Sequence, residues 1–199
     1  MNVQGGTDVR VQKHLRILFI GNSHTYFHDM PAMVSDLAEK EGFSCDVTMI
    51  AHGGWFLAQH VKEPDVQFNI KYGKYDYVVL QEHSHPFAPE EKFYEAVHTL
   101  NQWIREAGSV PVIYATWAKK DEELEQDHMN RVHENIAGEI GAVLAPVGQN
   151  WWSEVRSRPD EEMYYEDGAH ASAYGSEFAA KIIWKSILAD FSRVERMPV

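Results

Sequence analysis

The sequence predicts an α/β fold in which a parallel sheet is covered by helices on both faces. Short apolar runs alternate with amphipathic segments along the 199 residues, and Gly or Pro residues separate many of them. Such alternation implies right-handed crossovers between parallel strands. The length suits one domain with one sizeable core. We expect that domain to span residues 14–199, preceded by a flexible tail over residues 1–13.

Five segments have the apolar or β-branched character of strands that are buried on both faces. The first of them ends at Gly21, which predicts a sharp turn at that point. The five predicted strands span residues 15–20, 45–50, 75–81, 110–116 and 142–147.

Four other segments carry apolar residues at helical spacing. The most regular one places Phe93, Val97, Leu100 and Ile104 on one face. Another opens with Pro31, a residue that is favoured in a first helical turn. The four predicted helices span residues 31–41, 89–107, 121–140 and 173–191, and a loop is expected over residues 151–165.

Composition limits the classes of partner. The chain has 18 Lys and Arg against 30 Asp and Glu, which gives a formal net charge of −12. No basic run offsets this charge, so nucleic acid and anionic membranes are disfavoured as partners. The single cysteine, Cys45, excludes an intrachain disulfide and a multi-Cys zinc site. No run of membrane-spanning length and no apolar leader is seen, so we expect a cytoplasmic protein.

The ends of the predicted strands locate the candidate site, because ligands of parallel α/β sheets bind beyond the carboxyl ends of the strands. The first strand is followed by Gly21-Asn22-Ser23, and the turn would expose Ser23 where a helix begins. A serine in that position is a nucleophile if a base lies nearby, and its backbone N–H can face an oxyanion. Taken alone, the same residues also fit a simple helix cap.

A second candidate segment precedes the last predicted helix. Asp167 and His170 stand three residues apart there, on either side of Gly168. On a tight turn this spacing lets the carboxylate reach one imidazole nitrogen and leaves the other free to take a proton from a hydroxyl. The alternative is an acidic turn with a solvated histidine.

These segments resemble the blocks of the SGNH (GDSL-type) hydrolases. The match consists of Gly-Asn-Ser at 21–23, Gly-Gly at 53–54 and Asp-x-x-His at 167–170, in the family's order. The resemblance covers residues 15 to about 185. It implies a flavodoxin-like three-layer α/β/α sandwich with five parallel strands and an esterase activity that needs no cofactor and no metal.

The resemblance also implies roles for individual residues. Ser23 would be the nucleophile, His170 the general base and Asp167 the carboxylate that orients it. The oxyanion hole would contain the backbone N–H groups of Ser23 and Gly54.

The third block departs from the family pattern. The family usually has Gly-x-Asn-Asp there, with the Asn side chain donating to the oxyanion, whereas this chain has Gln81-Glu82-His83-Ser84. Gln81 carries the same amide donor on a longer arm. We therefore expect Gln81 to be the third oxyanion donor, with His83 or Ser84 as alternatives.

Four further residues at predicted strand ends are candidates for the substrate pocket: His24, Trp55, His83 and Trp117. Aromatic faces in such positions can stack on a sugar ring or hold an acyl chain. The expected substrate is a small ester, with an acetylated carbohydrate as one candidate. The oligomeric state is not predicted.

Two other functions remain open from the sequence. One is a non-catalytic flavodoxin-like binding domain. The other is a metal-dependent hydrolase, since several metal-ligating residue types fall near the strand ends, although no HExxH motif is present. The residues that such a metal site would draw on are His24, His28, Glu82, His83, His85, Asp167 and His170.

Overall fold

The computed structural model describes residues 13–196, and this part of the chain contains a five-stranded parallel sheet. Its strands are β1 (Lys13–Gly21), β2 (Phe43–Ala51), β3 (Tyr77–Leu80), β4 (Val110–Tyr114) and β5 (Val143–Ala145). Their order in the sheet is β2-β1-β3-β4-β5. The predicted α/β class and the predicted number of parallel strands are confirmed.

The predicted tail at residues 1–13 lies outside the described residues except for Lys13. That residue opens β1, where it pairs with Phe43 at the start of β2. Lys13, which was expected in the tail, therefore belongs to the sheet. The single-domain organisation stays a prediction.

Strand β1 lies inside the sheet and is buried on both faces. Leu15, Ile17 and Phe19 pack into the core on one side, while Leu18 and Ile20 pack into the core on the other. Each of these side chains is at most 2% exposed. The continuous apolar run in the sequence reflects this two-sided burial, which is typical of parallel sheets.

Eight α-helices accompany the strands within the described residues. They are α1 (Ser23–Tyr26), α2 (Met30–Lys40), α3 (Leu57–His60), α4 (Pro64–Tyr72), α5 (Glu90–Glu106), α6 (Gln126–Ile140), α7 (Val147–Ser157) and α8 (Ala173–Glu195). Helices α2, α7 and α8 cover the Phe19 face of the sheet. Helices α3, α4, α5 and α6 cover the Ile20 face. The result is the expected three-layer sandwich.

Helix α7 corrects the expected loop over residues 151–165. The chain becomes helical directly after β5 and stays so through Ser157. Trp151 explains the difference, because it is fully buried and stacks on Trp117 with 3.8 Å between ring centroids. The burial of a large aromatic side chain outweighs the weak helix propensity of the Gly, Asn and Ser residues around it.

Helix α6 begins later than predicted. Residues 123–125 form a 3-10 turn, and the helix starts at Gln126. The buried side chain of Gln126 accepts hydrogen bonds from the backbone N–H of Ala118 at 2.7 Å and from Trp152 Nε1 at 3.2 Å. These contacts fix the start of the helix against the loop that follows β4.

None of the helices between residues 13 and 196 combines the length and the hydrophobicity needed to cross a membrane. The cytoplasmic location stays a prediction.

Two helical glycines give a matched test of this packing. A Cβ at Gly148 would lie 1.9 Å from the Thr116 carbonyl oxygen, whereas a Cβ at Gly138 would meet nothing within 4 Å. We expect Gly148→Ala to lower the free energy of unfolding by about 3 kcal/mol through overpacking. Gly138→Ala should raise it by about 0.5–1 kcal/mol, because alanine is the better helix former. Urea denaturation of both variants measures this, and equal effects would contradict the packing of α7 on the β4 loop.

Candidate active site

The turn after β1 presents Ser23 at the first position of α1. Asn22 caps this short helix, because its Oδ1 accepts a hydrogen bond from the backbone N–H of His24 at 3.1 Å. Only glycine fits at position 21, since a Cβ there would lie 2.4 Å from Thr25 Oγ1 and 2.5 Å from Gln81 Oε1. The tight turn leaves the Ser23 side chain half-buried at the carboxyl edge of the sheet.

The loop before α8 folds around the carboxylate of Asp167. Its Oδ1 accepts hydrogen bonds from the backbone N–H groups of Ala169 and His170, both at 2.9 Å. Gly168 has a φ of +67°, a left-handed conformation that suits glycine. The turn brings Asp167 Oδ2 to 2.5 Å from His170 Nδ1.

The two loops meet at the edge of the sheet. His170 Nε2 lies 2.7 Å from Ser23 Oγ. With the Nδ1–H donated to the Asp167 carboxylate, Nε2 is the nitrogen left to accept a hydrogen bond from the serine hydroxyl. The fold therefore brings Ser23, His170 and Asp167 into one hydrogen-bonded line.

The hydrogen bonds of the loop keep Asp167 ionised. Burial raises the pKa of this carboxyl, but the His170 side chain and the backbone N–H groups of Ala169 and His170 outweigh that effect and lower the pKa to about 2. A carboxylate that remains ionised through the acidic range fixes the tautomer and the orientation of the imidazole at Nδ1.

Trp117 does not line a pocket, contrary to the sequence prediction. Its side chain is fully buried between β4 and α7, where it stacks on Trp151. Its Nε1 donates to the carbonyl oxygen of Ala169 at 2.9 Å. Because a fully buried ring cannot contact a substrate, Trp117 supports the loop that carries His170 instead.

His24 is also buried, at 7% exposure, beside the reactive groups. Its ring centroid lies 4.8 Å from that of His170 and 5.1 Å from that of His85. Burial, together with the neighbouring His85 and His170, lowers the pKa of His24 well below its ordinary value. His24 is therefore a neutral part of the wall behind His170 and has little surface to offer a substrate.

The other two predicted pocket residues are half-buried. Trp55 packs against His52 with 4.1 Å between ring centroids. His83 stacks on Phe56 at 4.3 Å, and its Nδ1 lies 2.9 Å from the Pro86 carbonyl oxygen. Both keep some surface at the carboxyl edge of the sheet, so they remain candidates for contact with a substrate.

The glycine loop after β2 is tied to the serine turn. Asn22 Nδ2 donates to the Trp55 carbonyl oxygen at 2.9 Å, and the Trp55 N–H donates to the His52 carbonyl oxygen at 3.1 Å. Gly54, inside this turn, has a φ of +71°. Within residues 13–196, neither the Ser23 N–H nor the Gly54 N–H donates to a protein acceptor.

The hydrogen bonds of Gln81 argue against its predicted task. The residue is 1% exposed, and its Oε1 accepts from the Asn22 backbone N–H and from Thr25 Oγ1, both at 2.8 Å. Its Nε2 donates to the carbonyl oxygen of Glu82. The amide is directed into the protein and holds the serine turn in place, so it is not positioned to donate to an oxyanion. Of the two alternatives, Ser84 Oγ donates to Thr116 Oγ1 at 2.7 Å.

Phe27 was not predicted as a residue of the site, and Glu82 and His85 were predicted only as possible metal ligands. The ring of Phe27 stacks on His170. His85 has a buried Nε2 without a hydrogen-bond partner, and burial with nearby positive groups lowers its pKa to about 4. Glu82 accepts hydrogen bonds through Oε1 from the backbone N–H groups of Leu57 and His83. The sequence signal for Glu82 and His85 was their position just after β3, at the carboxyl end of that strand.

The histidines of the site do not form a metal centre. Across residues 13–196, no group of three or more His, Cys, Asp or Glu side chains is arranged to hold a metal ion. His24 and His28 are not on one helix, because the chain turns at His28 with a φ of 54°. The metal-dependent alternative is therefore not favoured.

Glu82 gives this site a stability that depends on pH. Burial raises the pKa of its carboxyl to about 7, despite the two backbone N–H groups on Oε1, and Oε2 has no hydrogen-bond partner. The folded state thus holds a proton between pH 4.5 and 7 that the unfolded state has released. The contribution of Glu82 to the free energy of unfolding therefore falls over that range as the pH rises.

We therefore expect the difference in free energy of unfolding, Glu82→Gln minus wild type, to increase by about 3 kcal/mol between pH 4.5 and 7 and to level off above. Urea denaturation at a series of pH values measures it. The exposed Glu95→Gln is the matched control, and the effect of Glu82→Gln is measured relative to it. A flat difference for Glu82→Gln would mean that the pKa of Glu82 is the same in the folded and the unfolded protein.

Comparisons with known proteins agree with this fold. No family model matches the sequence, and no curated protein matches it. Among solved structures, a protein from Slackia heliotrinireducens described as an SGNH hydrolase is 29% identical, with a TM-score of 0.76. The match covers 88% of this chain and 100% of that one.

Two more distant structures share the fold. A lipase/acylhydrolase from Enterococcus faecalis is 14% identical with a TM-score of 0.73, over 88% of this chain and 96% of that one. An acetylxylan esterase from Geobacillus stearothermophilus is 18% identical with a TM-score of 0.63, over 89% and 95%. This chain is thus similar to the SGNH-type hydrolases in fold, and to the Slackia protein along that protein's whole length.

Proposed function

We propose that the protein is a serine esterase that forms an acyl-enzyme on Ser23, with His170 as general base and Asp167 as its orienting carboxylate. One observation carries the proposal. The hydrogen-bonded line runs without a break from Asp167 Oδ2 to His170 Nδ1 at 2.5 Å and from His170 Nε2 to Ser23 Oγ at 2.7 Å. The esterase and lipase folds among the neighbours support the same class of reaction.

The reaction proceeds in two steps. Ser23 Oγ attacks the ester carbonyl carbon while His170 Nε2 takes the hydroxyl proton, and the imidazolium is stabilised by Asp167. The tetrahedral intermediate collapses, the C–O bond to the alcohol breaks, and His170 gives its proton to the leaving oxygen. Water then attacks the acyl-enzyme with the same base, which releases the acid and restores Ser23.

The oxyanion is held by the backbone N–H groups of Ser23 and Gly54. Both are free of protein acceptors in the described chain, and Asn22 ties their two loops together through the Trp55 carbonyl oxygen at 2.9 Å. Donors that are fixed before the reaction stabilise the developing charge without reorganisation. Gln81 supports this arrangement from behind, through its hydrogen bond to the Asn22 N–H.

The substrate is a small ester, and an acetylated carbohydrate is the class that we favour. The acetylxylan esterase from Geobacillus stearothermophilus shares the fold and acts on such esters. The half-buried ring of Trp55 flanks the glycine loop, where an aromatic face can pack on a sugar ring.

A fluorophosphonate probe tests the nucleophile directly. We expect intact mass and peptide mapping to find one adduct, on Ser23, in the wild type, and none in Ser23→Ala or His170→Ala. Hydrolysis of a small acetyl ester should fall by at least about 10³-fold in both variants, because nucleophile and base act as a unit. The exposed Ser157→Ala is the control and should label and turn over normally.

Two results would overturn the proposal. One is substantial ester hydrolysis by folded Ser23→Ala. The other is loss of wild-type activity on treatment with a chelator, which would return the metal-dependent alternative.

Gln81→Ala distinguishes a structural role of Gln81 in the serine turn from a direct role as an oxyanion donor. The substitution leaves the buried Asn22 N–H and Thr25 hydroxyl without their acceptor, so we expect the free energy of unfolding to fall by about 2–4 kcal/mol. Thermal denaturation measures this, with the exposed Gln102→Ala as the matched control. Unchanged stability with a rate loss of about 10²–10³-fold would instead identify Gln81 as an oxyanion donor.

A further inference from the structure

We propose that Phe27 is a positioning residue whose ring face stabilises the protonated form of His170. This inference rests on the proposed function, in which His170 takes the Ser23 proton. Phe27 itself exchanges no proton or electron. It acts through the imidazole alone.

The geometry of the two rings carries the proposal. The centroids of Phe27 and His170 are 4.2 Å apart, and the ring planes differ by 11°. The imidazole thus lies flat against the phenyl face. Tyr165 meets Phe27 edge-on, with 5.7 Å between centroids and an interplanar angle of 83°, so the phenyl ring is also supported from the loop that precedes His170.

The backbone is bent in a way that holds Phe27 in this position. His28 and Asp29, directly after it, both have a φ of 54°, although neither is glycine. Two consecutive left-handed non-glycine residues are uncommon, and such strain clusters at functional sites. Ser176, buried in α8, holds the bend, since its Oγ lies 3.1 Å from His28 Nδ1 and 3.4 Å from the Phe27 carbonyl oxygen.

The interaction changes during the reaction. The face of a phenyl ring carries partial negative charge and attracts a cation within about 6 Å of its centroid. His170 is neutral before Ser23 attacks and is an imidazolium once it has taken the proton. The contact with Phe27 is therefore stronger in the transition state than in the resting enzyme, and only such differential contacts lower the barrier.

The other titratable and charged groups around His170 are the same whatever ring stands at position 27. Asp167 is ionised at Nδ1, because its pKa is about 2. His24 and His85 stay neutral, because burial lowers the pKa of each. Lys119 adds a positive charge beyond His85. The His28 ring also contacts the phenyl ring, with 5.8 Å between centroids and an interplanar angle of 81°. A change confined to the electrons of that ring leaves all these groups in place.

Fluorinated phenylalanines incorporated at position 27 alone provide that change. The series 4-fluoro, 3,4,5-trifluoro and pentafluoro keeps the ring's shape while its face becomes progressively less negative. Two measurements follow: the pH profile of kcat/KM on a small acetyl ester, and an NMR titration of the His170 imidazole, which needs no substrate.

We expect kcat/KM on the plateau to fall stepwise, by roughly tenfold for the pentafluoro variant. The acid limb of the profile should move to lower pH in the same order, because the protonated imidazole loses stabilisation. The midpoint of the NMR titration should move with it. Phe27→Leu, which keeps an apolar side chain without a ring face, should fall between the wild type and the pentafluoro variant.

Phe191 is the matched control position. It packs edge-on against Phe43 at the start of β2, on the sheet edge opposite the site. The same fluorinated residues there should change neither the rate nor the titration.

The failures of this inference and of the proposed function can be told apart. Equal rates and equal midpoints across the series would overturn the role of Phe27. So would a fall in rate with an unmoved acid limb and midpoint, since that pattern means a purely steric role. If the wild type hydrolyses no ester, the esterase proposal fails, while the NMR midpoints still decide whether Phe27 stabilises the imidazolium.

Discussion

The side chain and backbone of Asn22 form the junction on which the site depends. Its N–H donates to Gln81 at the end of β3, its Nδ2 donates to the Trp55 carbonyl oxygen in the loop after β2, and its Oδ1 caps α1. Three neighbouring strand ends are thus joined through one nearly fully buried residue. In a parallel sheet the carboxyl ends of the strands share one edge, so a single amide can reach all three.

The loop that carries His170 is held by the core. Trp117 reaches from the end of β4 to the Ala169 carbonyl oxygen, and the face of its ring is fixed by Trp151 of α7. The orientation of the imidazole therefore depends on aromatic packing as well as on its carboxylate. Large buried rings have few rotamers and many contacts, so they hold such a position with little freedom.

Local patterns in the sequence predict the sheet, the main helices and the hydrogen-bonded residues Ser23, His170 and Asp167. The Asp167–His170 spacing predicts a turn because carboxylate and imidazole are three residues apart, and that contact is local. The task of Gln81 could not be predicted, because residue type alone does not tell which partners an amide meets in the folded chain. Helix α7 was missed for a similar reason. Its stability comes from the contact of Trp151 with Trp117, and a local propensity carries no information about that contact.

In the proposed mechanism, the charges around His170 favour one proton transfer, from Ser23 to the imidazole. Asp167 is kept ionised by hydrogen bonds, while burial keeps His24 and His85 neutral. A second imidazolium within 5 Å of His170 would oppose the positive charge that the base acquires, so the burial of His24 acts in the same direction as the carboxylate. In our proposal the face of Phe27, which stacks on the imidazole of His170, acts in the same direction. Hydrogen bonding, desolvation and aromatic stacking thus favour the same charge state, the imidazolium that the proposed proton transfer from Ser23 would create.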